Sequence, residues 1–166
     1  MRTVAVVNLK GGVGKSTTAI NMALIMSQAH GKNVLLIDND FQAAVTKFFG
    51  KHSYDKPSME DVLRNPMLSA EEVIIPSGRW GLDIIPANMN MIAAADDLIT
   101  DKDSDQIGRI RNILDQVEEE YDYCIIDCHP SVGIEVLNAL AAAEDIIIPI
   151  KADKNALDGM EELDDI

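Results

Sequence analysis

A glycine-rich run near the N-terminus, residues 10–17, restricts the possible folds of this chain more than any other segment. It reads Lys-Gly-Gly-Val-Gly-Lys-Ser-Thr. The apolar and β-branched residues 3–7 before it predict a buried strand. Residues 16–30 after it carry apolar side chains at helical spacing, and Gly31 suits the C-terminal cap of that helix. A second apolar run at residues 34–37 completes a strand–helix–strand unit, which predicts a parallel sheet.

Strands and helices continue to alternate along the chain. Further strands are predicted at residues 82–85, 123–126 and 145–150. Further helices are predicted at residues 58–64, 89–98, 104–120, 134–143 and from Asn155 onward. The length of 166 residues and the hydrophobic fraction of 47% suit a single globular domain over residues 1–166. We therefore predict an α/β three-layer fold, with a mostly parallel sheet between helices on both faces.

A glycine-rich loop between a strand and a helix is the setting of a phosphate-binding loop. Glycines let successive backbone N–H groups point at phosphate oxygens, and the positive end of the following helix faces the same anion. Lys15 would add a full charge on the phosphates, and the Ser16 hydroxyl can coordinate Mg²⁺. Leu9 stands where the general motif has its first glycine, so the loop is a variant. The residues predicted to bind the phosphates are Gly11, Gly12, Val13, Gly14, Lys15, Ser16 and Thr17.

Acidic residues follow two of the predicted strands. Asp38 and Asp40 come after residues 34–37, and Asp127 directly follows residues 123–126. The carboxyl ends of parallel strands face the ligand crevice, so all three carboxylates would stand near the phosphates. A carboxylate there can hold Mg²⁺ through water or orient an attacking water. An ordinary turn or helix cap is the alternative role for each of them.

Lys10 has two possible roles that the residues alone leave open. Lys15 already serves the phosphates from inside the loop, so a second lysine at the start of the loop could point outward, toward a second subunit. It could also be a solvated surface lysine.

The charge and cysteine content limit the classes of function. A net charge of -14 argues against non-specific binding to DNA or to an anionic membrane by this chain. Residues 1–60 hold 7 basic and 4 acidic side chains, whereas residues 61–166 hold 7 basic and 24 acidic side chains. We therefore expect a site that binds anions to lie near the N-terminus. We see no signal peptide and no membrane-spanning run, and two cysteines favour a reduced, cytoplasmic compartment. A metal site at His129 and the cysteines is disfavoured, because no second cysteine pair and no clustered histidines accompany them.

Together these motifs resemble those of the ParA/MinD group of deviant Walker ATPases, and most closely its ParA partition branch. The resemblance rests on residues 10–17, 38–42, 82–88 and 127–131, and it covers essentially the whole chain. It implies a P-loop NTPase fold and an ATPase that binds ATP or ADP with Mg²⁺ and forms an ATP-dependent homodimer.

The resemblance also implies roles for single residues. Lys10 would reach across to the phosphates of the partner subunit, Lys15 would bind the phosphates of its own, and Asp40 would orient the hydrolytic water. These three are the predicted catalytic residues. The predicted metal ligands are Ser16, Asp38 and Asp127, and Asp127 resembles a Walker B aspartate.

Partition proteins of this group act in DNA segregation. The resemblance implies a centromere-binding, ParB-like protein that stimulates hydrolysis, and non-specific DNA binding by the full-length form but not by this acidic chain. Membrane binding is not expected, and the location would be cytoplasmic, or nucleoid-associated for the full-length form.

The sequence departs from the family pattern in composition and in length. Phe41 stands where proline is usual, and Cys128 and His129 replace a small residue and a proline, which alters loop stiffness beside the phosphates. Family members are usually longer, so we expect a truncation on the C-terminal side. One alternative is therefore a nucleotide-binding or interaction module without ATPase activity, with an exposed sheet edge at residues 145–150. Another is a MinD-like membrane-positioning ATPase, which would need a C-terminal amphipathic helix.

Overall fold

The computed structural model describes residues 1–151. Its strands are β1 (Arg2–Val6), β2 (Val34–Asn39), β3 (Ile75–Arg79), β4 (Leu82–Ile85), β5 (Tyr123–Cys128) and β6 (Asp145–Ile147). Its α-helices are α1 (Lys15–Leu24), α2 (Ala44–Phe48), α3 (Met59–Arg64), α4 (Ala70–Val73), α5 (Met91–Thr100), α6 (Arg109–Gln116) and α7 (Ile134–Ala142). Helix α1 continues as a π-helical stretch over Ile25–Ala29. The helix predicted from Asn155 onward lies outside the described residues.

The strands form one sheet in the order β3-β4-β2-β5-β1-β6. Neighbouring strands are parallel except for β3 and β4. Asp127 of β5 lies in register with Asp38 of β2 on one side and with Val6 of β1 on the other. The C-terminal ends of these three strands therefore meet at one edge of the sheet. The predicted α/β fold with a mostly parallel sheet is confirmed.

Helices cover both faces of the sheet, as predicted. Successive strand residues face opposite sides, so Leu36 and Ile125 pack in one cluster with Ala19 and Ala23 of α1. A larger cluster on the opposite face holds the buried residues of α3 to α7 against the remaining strand residues, among them Ile126. The strands between these layers read as continuous apolar runs because both of their faces are buried.

The start of α3 is encoded locally, as the sequence predicts. The Ser58 hydroxyl accepts a hydrogen bond from the backbone N–H of Glu60 at 3.3 Å, and Asp61 accepts one from the N–H of Ser58 at 2.8 Å. This reciprocal capping box satisfies two donors that the first helical turn would leave unpaired. Gly31 likewise follows the helical segment with a φ of 63°, which confirms it as the residue that ends that segment.

Strand β3 is not predicted from the sequence. Pro76 and Gly78 interrupt its pattern, and both residues are uncommon inside strands. They are tolerated because β3 lies at the edge of the sheet, antiparallel to β4, with a shift of register between Pro76 and Arg79. The short helices α2 and α4 were also not predicted, since four or five residues are too few for a helical period to be recognised.

Two predicted elements are longer than the observed ones. Helix α6 begins at Arg109 rather than residue 104, because Asp105 accepts hydrogen bonds from the N–H groups of Ile107 and Gly108 and forms a turn there. It ends at Gln116 rather than residue 120. Strand β6 ends at Ile147 rather than residue 150. Pro149 cannot donate a backbone hydrogen bond to a ladder, so the strand ends before it. No helix within residues 1–151 is both long and apolar enough to cross a membrane.

Candidate functional site

The glycine-rich loop joins β1 to α1 at the edge of the sheet where β1, β2 and β5 end. Gly12 and Gly14 have φ angles of 73° and 95°, in the left-handed region that other residues adopt only with strain. Gly14 is the N-cap of α1, so the free N–H groups of the first helical turn open onto the loop. The loop and the end of α1 thus present backbone donors to one point, which suits an anion.

Asn8 fixes the base of this loop. Its side-chain oxygen accepts a hydrogen bond from the N–H of Lys10 at 2.8 Å, and its amide group donates to the carbonyl of Pro149 at 3.0 Å. Asn8 is buried, so these bonds are shielded from water. Sequence reasoning missed this residue, because its second partner lies 141 positions away.

Lys15 is the first residue of α1 and only 7% exposed. Its ammonium group donates to the carbonyl of Lys10 at 3.4 Å, so the loop curls around it. Burial lowers the pKa of Lys15, while the carboxylates of Asp127 and Asp40 act in the opposite direction. A cation that is desolvated in this way gains most from an anion placed beside it.

Asp127 is buried at the end of β5, next to the start of α1. Burial raises its pKa to about 7, and the hydroxyl of Ser16 and the ammonium of Lys15 act in the opposite direction. Ser16 therefore lies near Asp127. A Mg²⁺ ion shared by the two side chains stays a prediction.

Asp38 at the end of β2 is held by a residue that sequence reasoning missed. One of its oxygens accepts hydrogen bonds from both the N–H and the hydroxyl of Thr46, at 2.7 and 2.6 Å. The Thr46 hydroxyl in turn accepts from the N–H of Ala87 at 2.8 Å, beyond the end of β4. Burial raises the pKa of Asp38 to about 6 in spite of these bonds. Thr46 thus sets the orientation of Asp38 within the site.

Asp40 follows β2 in a tight turn. Its carboxylate accepts from the N–H of Gln42 at 2.8 Å, and its carbonyl accepts from the N–H of Ala43 at 2.8 Å. Ala43 has a φ of 56°, which makes it the sole non-glycine residue in the described part of the chain with a positive φ. Backbone strain of this kind is concentrated at functional sites. The turn also brings the ring of His129 to 4.0 Å from the Asp40 carboxylate.

His129 and Phe41, which both depart from the family pattern, lie against each other. Their rings stack with centroids 4.1 Å apart and an angle of 29° between the planes. The stack joins the turn after β2 to the turn after β5. It therefore fixes the position of Phe41, the residue that follows Asp40 in the chain.

Buried polar atoms without a hydrogen bond are concentrated in this site. Within residues 1–151 the buried side-chain atoms that lack a partner are Asp38 Oδ1, Asn39 Oδ1, both carboxylate oxygens of Asp127, His129 Nδ1, and Nε and Nη1 of Arg109. All of these except the Arg109 atoms belong to the turns after β2 and β5 or to the strand ends before them. Native proteins rarely leave such atoms unpaired. The carboxylate oxygens among them are hard donors of the kind that Mg²⁺ prefers, so the residues fit that ion.

The protein side chains alone do not form a complete metal site. In the described part of the chain, no group of three or more His, Cys, Asp and Glu side chains could hold a metal ion. A divalent cation between Ser16 and Asp127 would therefore depend on further oxygen ligands, which phosphate groups or water can supply. Cys124 and Cys128 are free and buried, and burial raises the pKa of both thiols.

The structure brings most of the predicted site residues together. The loop 10–17, Asp38, Asp40 and Asp127 all lie at the one sheet edge, and the pKa values of Lys15 and Asp127 respond to one another's charge. Lys10 is half-buried at the start of the loop. A contact between Lys10 and a second subunit stays a prediction.

Comparisons with known proteins agree with this geometry. A family model described as an AAA domain, AAA_31, matches residues 1–166. The chromosome partitioning protein ParA of Myxococcus xanthus is 36% identical over 163 residues, which are 98% of this chain and 56% of that protein. A putative plasmid partition protein from Borrelia burgdorferi bound to AMPPNP has a TM-score of 0.84 at 29% identity, covering 98% of this chain and 70% of its own.

Cobyrinic acid a,c-diamide synthase from Mycobacterium smegmatis, solved with a bound ATP analogue and magnesium, is also similar. Its TM-score is 0.85 at 29% identity, and the match covers 99% of this chain and 68% of that chain. The chain spans between 51% and 63% of the length of the first four curated relatives that it matches. The match to the family model extends over every residue from 1 to 166. The chain therefore belongs to the AAA_31 family of AAA domains and, within it, to the ParA group of deviant Walker ATPases.

Proposed function

We propose that this chain binds ATP with Mg²⁺ at residues 10–17 and hydrolyses it to ADP and phosphate. The observation that carries the proposal is the buried Lys15 at the start of α1, enclosed by a loop of backbone donors and facing the carboxylates of Asp127 and Asp40. The AMPPNP and the ATP analogue with magnesium in the two similar structures support the same ligand.

Each residue of the site has a defined task in this proposal. The N–H groups of residues 11–17 donate to phosphate oxygens, and Lys15 neutralises their charge. Ser16, Asp38 and Asp127 hold the cation, directly or through water. Bound Mg²⁺ draws charge away from the phosphate oxygens. Asp40 orients the water that attacks the terminal phosphate.

Membership of the ParA group supports a proposal for the biological role. We propose an ATP-dependent homodimer in which Lys10 reaches the phosphates of the partner subunit, acting in DNA segregation with a ParB-like stimulating protein. The cytoplasm is the proposed location. Non-specific DNA binding is proposed for a full-length form only, because the net charge of -14 opposes it here.

A second candidate function is an interaction module that binds nucleotide without hydrolysing it. It is favoured by strand β6, which lies at one edge of the described sheet with Ile146 54% exposed. A MinD-like membrane role is not favoured by any feature of residues 1–151.

Replacing Lys15 tests the binding site. Lys15→Ala removes the charge that faces the phosphates, so we expect isothermal titration calorimetry with Mg-ATP to register at least about a 100-fold loss of affinity, the equivalent of about 3 kcal/mol. Lys32→Ala is the control, because Lys32 is an exposed residue paired with Asp122 on the surface. Unchanged affinity in Lys15→Ala would overturn the assignment of the loop. Binding without phosphate release by the parent chain would favour the interaction module.

A further inference from the structure

Asp38 and Asp127 stand side by side on one face of the sheet. They are in register across β2 and β5, and parallel neighbours in register share a face. Leu36 and Ile125, two positions earlier in each strand, pack against α1, so both carboxylates lie on the side of α1. Within the described residues, Asp38 Oδ1 and both carboxylate oxygens of Asp127 are buried without a hydrogen-bond partner. Three of the four oxygens are therefore free for a ligand on this side.

The fourth oxygen, Asp38 Oδ2, is bound twice by Thr46. The Thr46 hydroxyl donates to it at 2.6 Å, and the backbone N–H of Thr46 donates to it at 2.7 Å. Hydrogen bonds to a carboxylate are short and directional, so two of them on one oxygen fix the orientation of the whole group. The carboxylate of Asp38 therefore has one oxygen tied to α2, and Oδ1 alone is left for a ligand.

The Thr46 hydroxyl is also held from its other side. It accepts a hydrogen bond from the N–H of Ala87 at 2.8 Å, so its own hydrogen is the one that it gives to Asp38. The turn that supplies this N–H is fixed in turn by the next residue, Asn88. Asn88 is fully buried and donates its side-chain amide to the hydroxyl of Ser58 at 3.1 Å. Thr46 is fully buried as well, so it can act on a ligand only through Asp38.

We infer that Thr46 is a positioning residue for Mg²⁺, whose hydroxyl keeps Oδ1 of Asp38 turned toward the cation that accompanies the nucleotide. Mg²⁺ demands near-ideal octahedral geometry from its oxygen ligands, so a misplaced carboxylate weakens its binding. Removal of a residue that orients a metal-binding carboxylate typically costs about 10- to 100-fold in metal affinity. The hydroxyl of Thr46 is not among the groups proposed to bind phosphate, so the nucleotide itself should still bind. The inference rests on the proposed function.

Nucleotide binding with and without Mg²⁺ tests this role on the 166-residue chain. The probe is mant-AMPPNP, a fluorescent ATP analogue that is not hydrolysed. It is titrated first in EDTA, and Mg²⁺ is then added at a fixed concentration of the analogue. The two measured quantities are the dissociation constant in EDTA and the Mg²⁺ concentration that gives half of the fluorescence change. Neither quantity depends on turnover.

Thr46→Val removes the hydroxyl and keeps the volume of the side chain. We expect it to raise the half-saturating Mg²⁺ concentration about tenfold or more, and to change the dissociation constant in EDTA less than about threefold. Thr46→Ser restores the hydroxyl, so it should restore the Mg²⁺ response to within about threefold of the parent chain. Circular dichroism checks that each variant folds, and Thr46→Ala replaces Thr46→Val if that variant does not fold.

Ser77→Ala is the matched control. The Ser77 hydroxyl is also buried, and it too makes one hydrogen bond in each direction. It donates to the carbonyl of Leu82 at 2.6 Å and accepts from the N–H of Arg79 at 3.0 Å. Ser77 lies in β3, which β4 separates from β2. Its loss therefore removes comparable hydrogen bonds without touching Asp38, and both measured quantities should match those of the parent chain.

A double-mutant cycle shows whether Thr46 acts through Asp38. In chains that already carry Asp38→Asn, the addition of Thr46→Val should raise the half-saturating Mg²⁺ concentration less than about twofold further. Another rise of about tenfold would show that the hydroxyl affects the ion by a different route, which contradicts the inference.

The remaining outcomes separate this inference from the proposed function. If the parent chain responds to Mg²⁺ and Thr46→Val responds equally, the inference is wrong and the proposed function stands. If Thr46→Val loses as much affinity in EDTA as with Mg²⁺, or if Thr46→Ser fails to restore the response, the hydroxyl has only a structural role. If the parent chain binds no mant-AMPPNP, the proposed function is wrong, and the inference that rests on it is wrong as well.

Discussion

Buried charged groups carry the chemistry of the site, and burial is what sets their properties. Lys15 and Asp127 lie where water is largely excluded. Burial lowers the pKa of the lysine and raises that of the acid to about 7, although the charge of each acts in the opposite direction on the other. Asp38 has a pKa of about 6 for the same reason. A buried charged group has lost the water that would solvate it. Binding a ligand of the opposite charge compensates for that loss, so such groups favour ligand binding.

Asp40→Ala tests the division between binding and hydrolysis. Asp40 hydrogen-bonds within its own turn and is not among the residues proposed to hold the phosphates or the cation, so we expect Mg-ATP affinity to remain within about threefold while phosphate release falls about 100-fold or more. Asp55→Ala, at an exposed acid in the loop before α3, is the control and should leave both unchanged. Normal turnover in Asp40→Ala would transfer the catalytic role to another residue.

The raised pKa of Asp127 predicts how stability depends on pH. Between about pH 4 and pH 7 the folded chain retains a proton that the unfolded chain has lost, so the free energy of unfolding falls as pH rises through this window. Asp38 adds to the same trend up to about pH 6. The loss from Asp127 is on the order of a few kcal/mol.

Urea denaturation of the nucleotide-free chain at pH 5, 6, 7 and 8 measures this dependence. Asp127→Asn cannot titrate, so its free energy of unfolding should fall less steeply with pH than that of the parent chain. Asp55→Asn, which is exposed, should follow the parent. Superimposable slopes for Asp127→Asn and the parent would contradict the raised pKa.

At the scale of single elements, the loop and α1 act as one unit. The loop needs left-handed backbone at Gly12 and Gly14 to direct its N–H groups inward, and α1 supplies the positive end of its dipole at the same point. The far end of the helical segment uses another left-handed glycine, Gly31, which serves only to end the helix. Left-handed glycine backbone therefore has a functional role at one end and a structural role at the other.

Gly14→Ala and Gly31→Ala separate these roles. Neither new methyl group would meet a neighbour within 4 Å, but both residues have a positive φ, so each variant should lose about 1 kcal/mol or more of unfolding free energy. Only Gly14→Ala should weaken Mg-ATP binding, by about tenfold or more, as measured by calorimetry. A similar loss of affinity in Gly31→Ala would mean that general destabilisation, not loop geometry, explains the effect.

At the scale of the whole molecule, the order of the strands creates the site. Strands β2, β5 and β1 are neighbours at the centre of the sheet, so Asp38, Asp127 and the loop meet although they are far apart in sequence. The two edge strands of the described sheet differ. Pro76 and a register shift in β3 hinder its pairing with another chain, whereas β6 at the other edge exposes Ile146.

The β6 edge predicts a weak self-association of the 166-residue chain. Strand β6 pairs with β1 alone among the described strands, so its outer side offers backbone groups to a second chain. Sedimentation velocity without nucleotide should detect association at high protein concentration, and Ile146→Lys should reduce it. Ile25→Lys has the same exposure and should not. Association that persists in Ile146→Lys would place the contact elsewhere.

The sequence by itself determined the strand–loop–helix unit, the α/β class and the identity of the charged residues in the site. These features depend on local spacing: a glycine run between two periodic patterns, and acids directly after apolar runs. The rule that parallel strands end at one edge was then enough to group Lys15 with Asp38, Asp40 and Asp127.

Only the tertiary structure decided how those residues are held. Asn8 bonds to Pro149, Thr46 links Asp38 to Ala87, and Phe41 stacks on His129. Strand β3 also emerged only from packing. Each depends on contacts between segments that are distant in the chain, and burial and pKa depend on the same contacts. Local patterns carry no information about such distances, because the sheet order that sets them is a property of the folded chain.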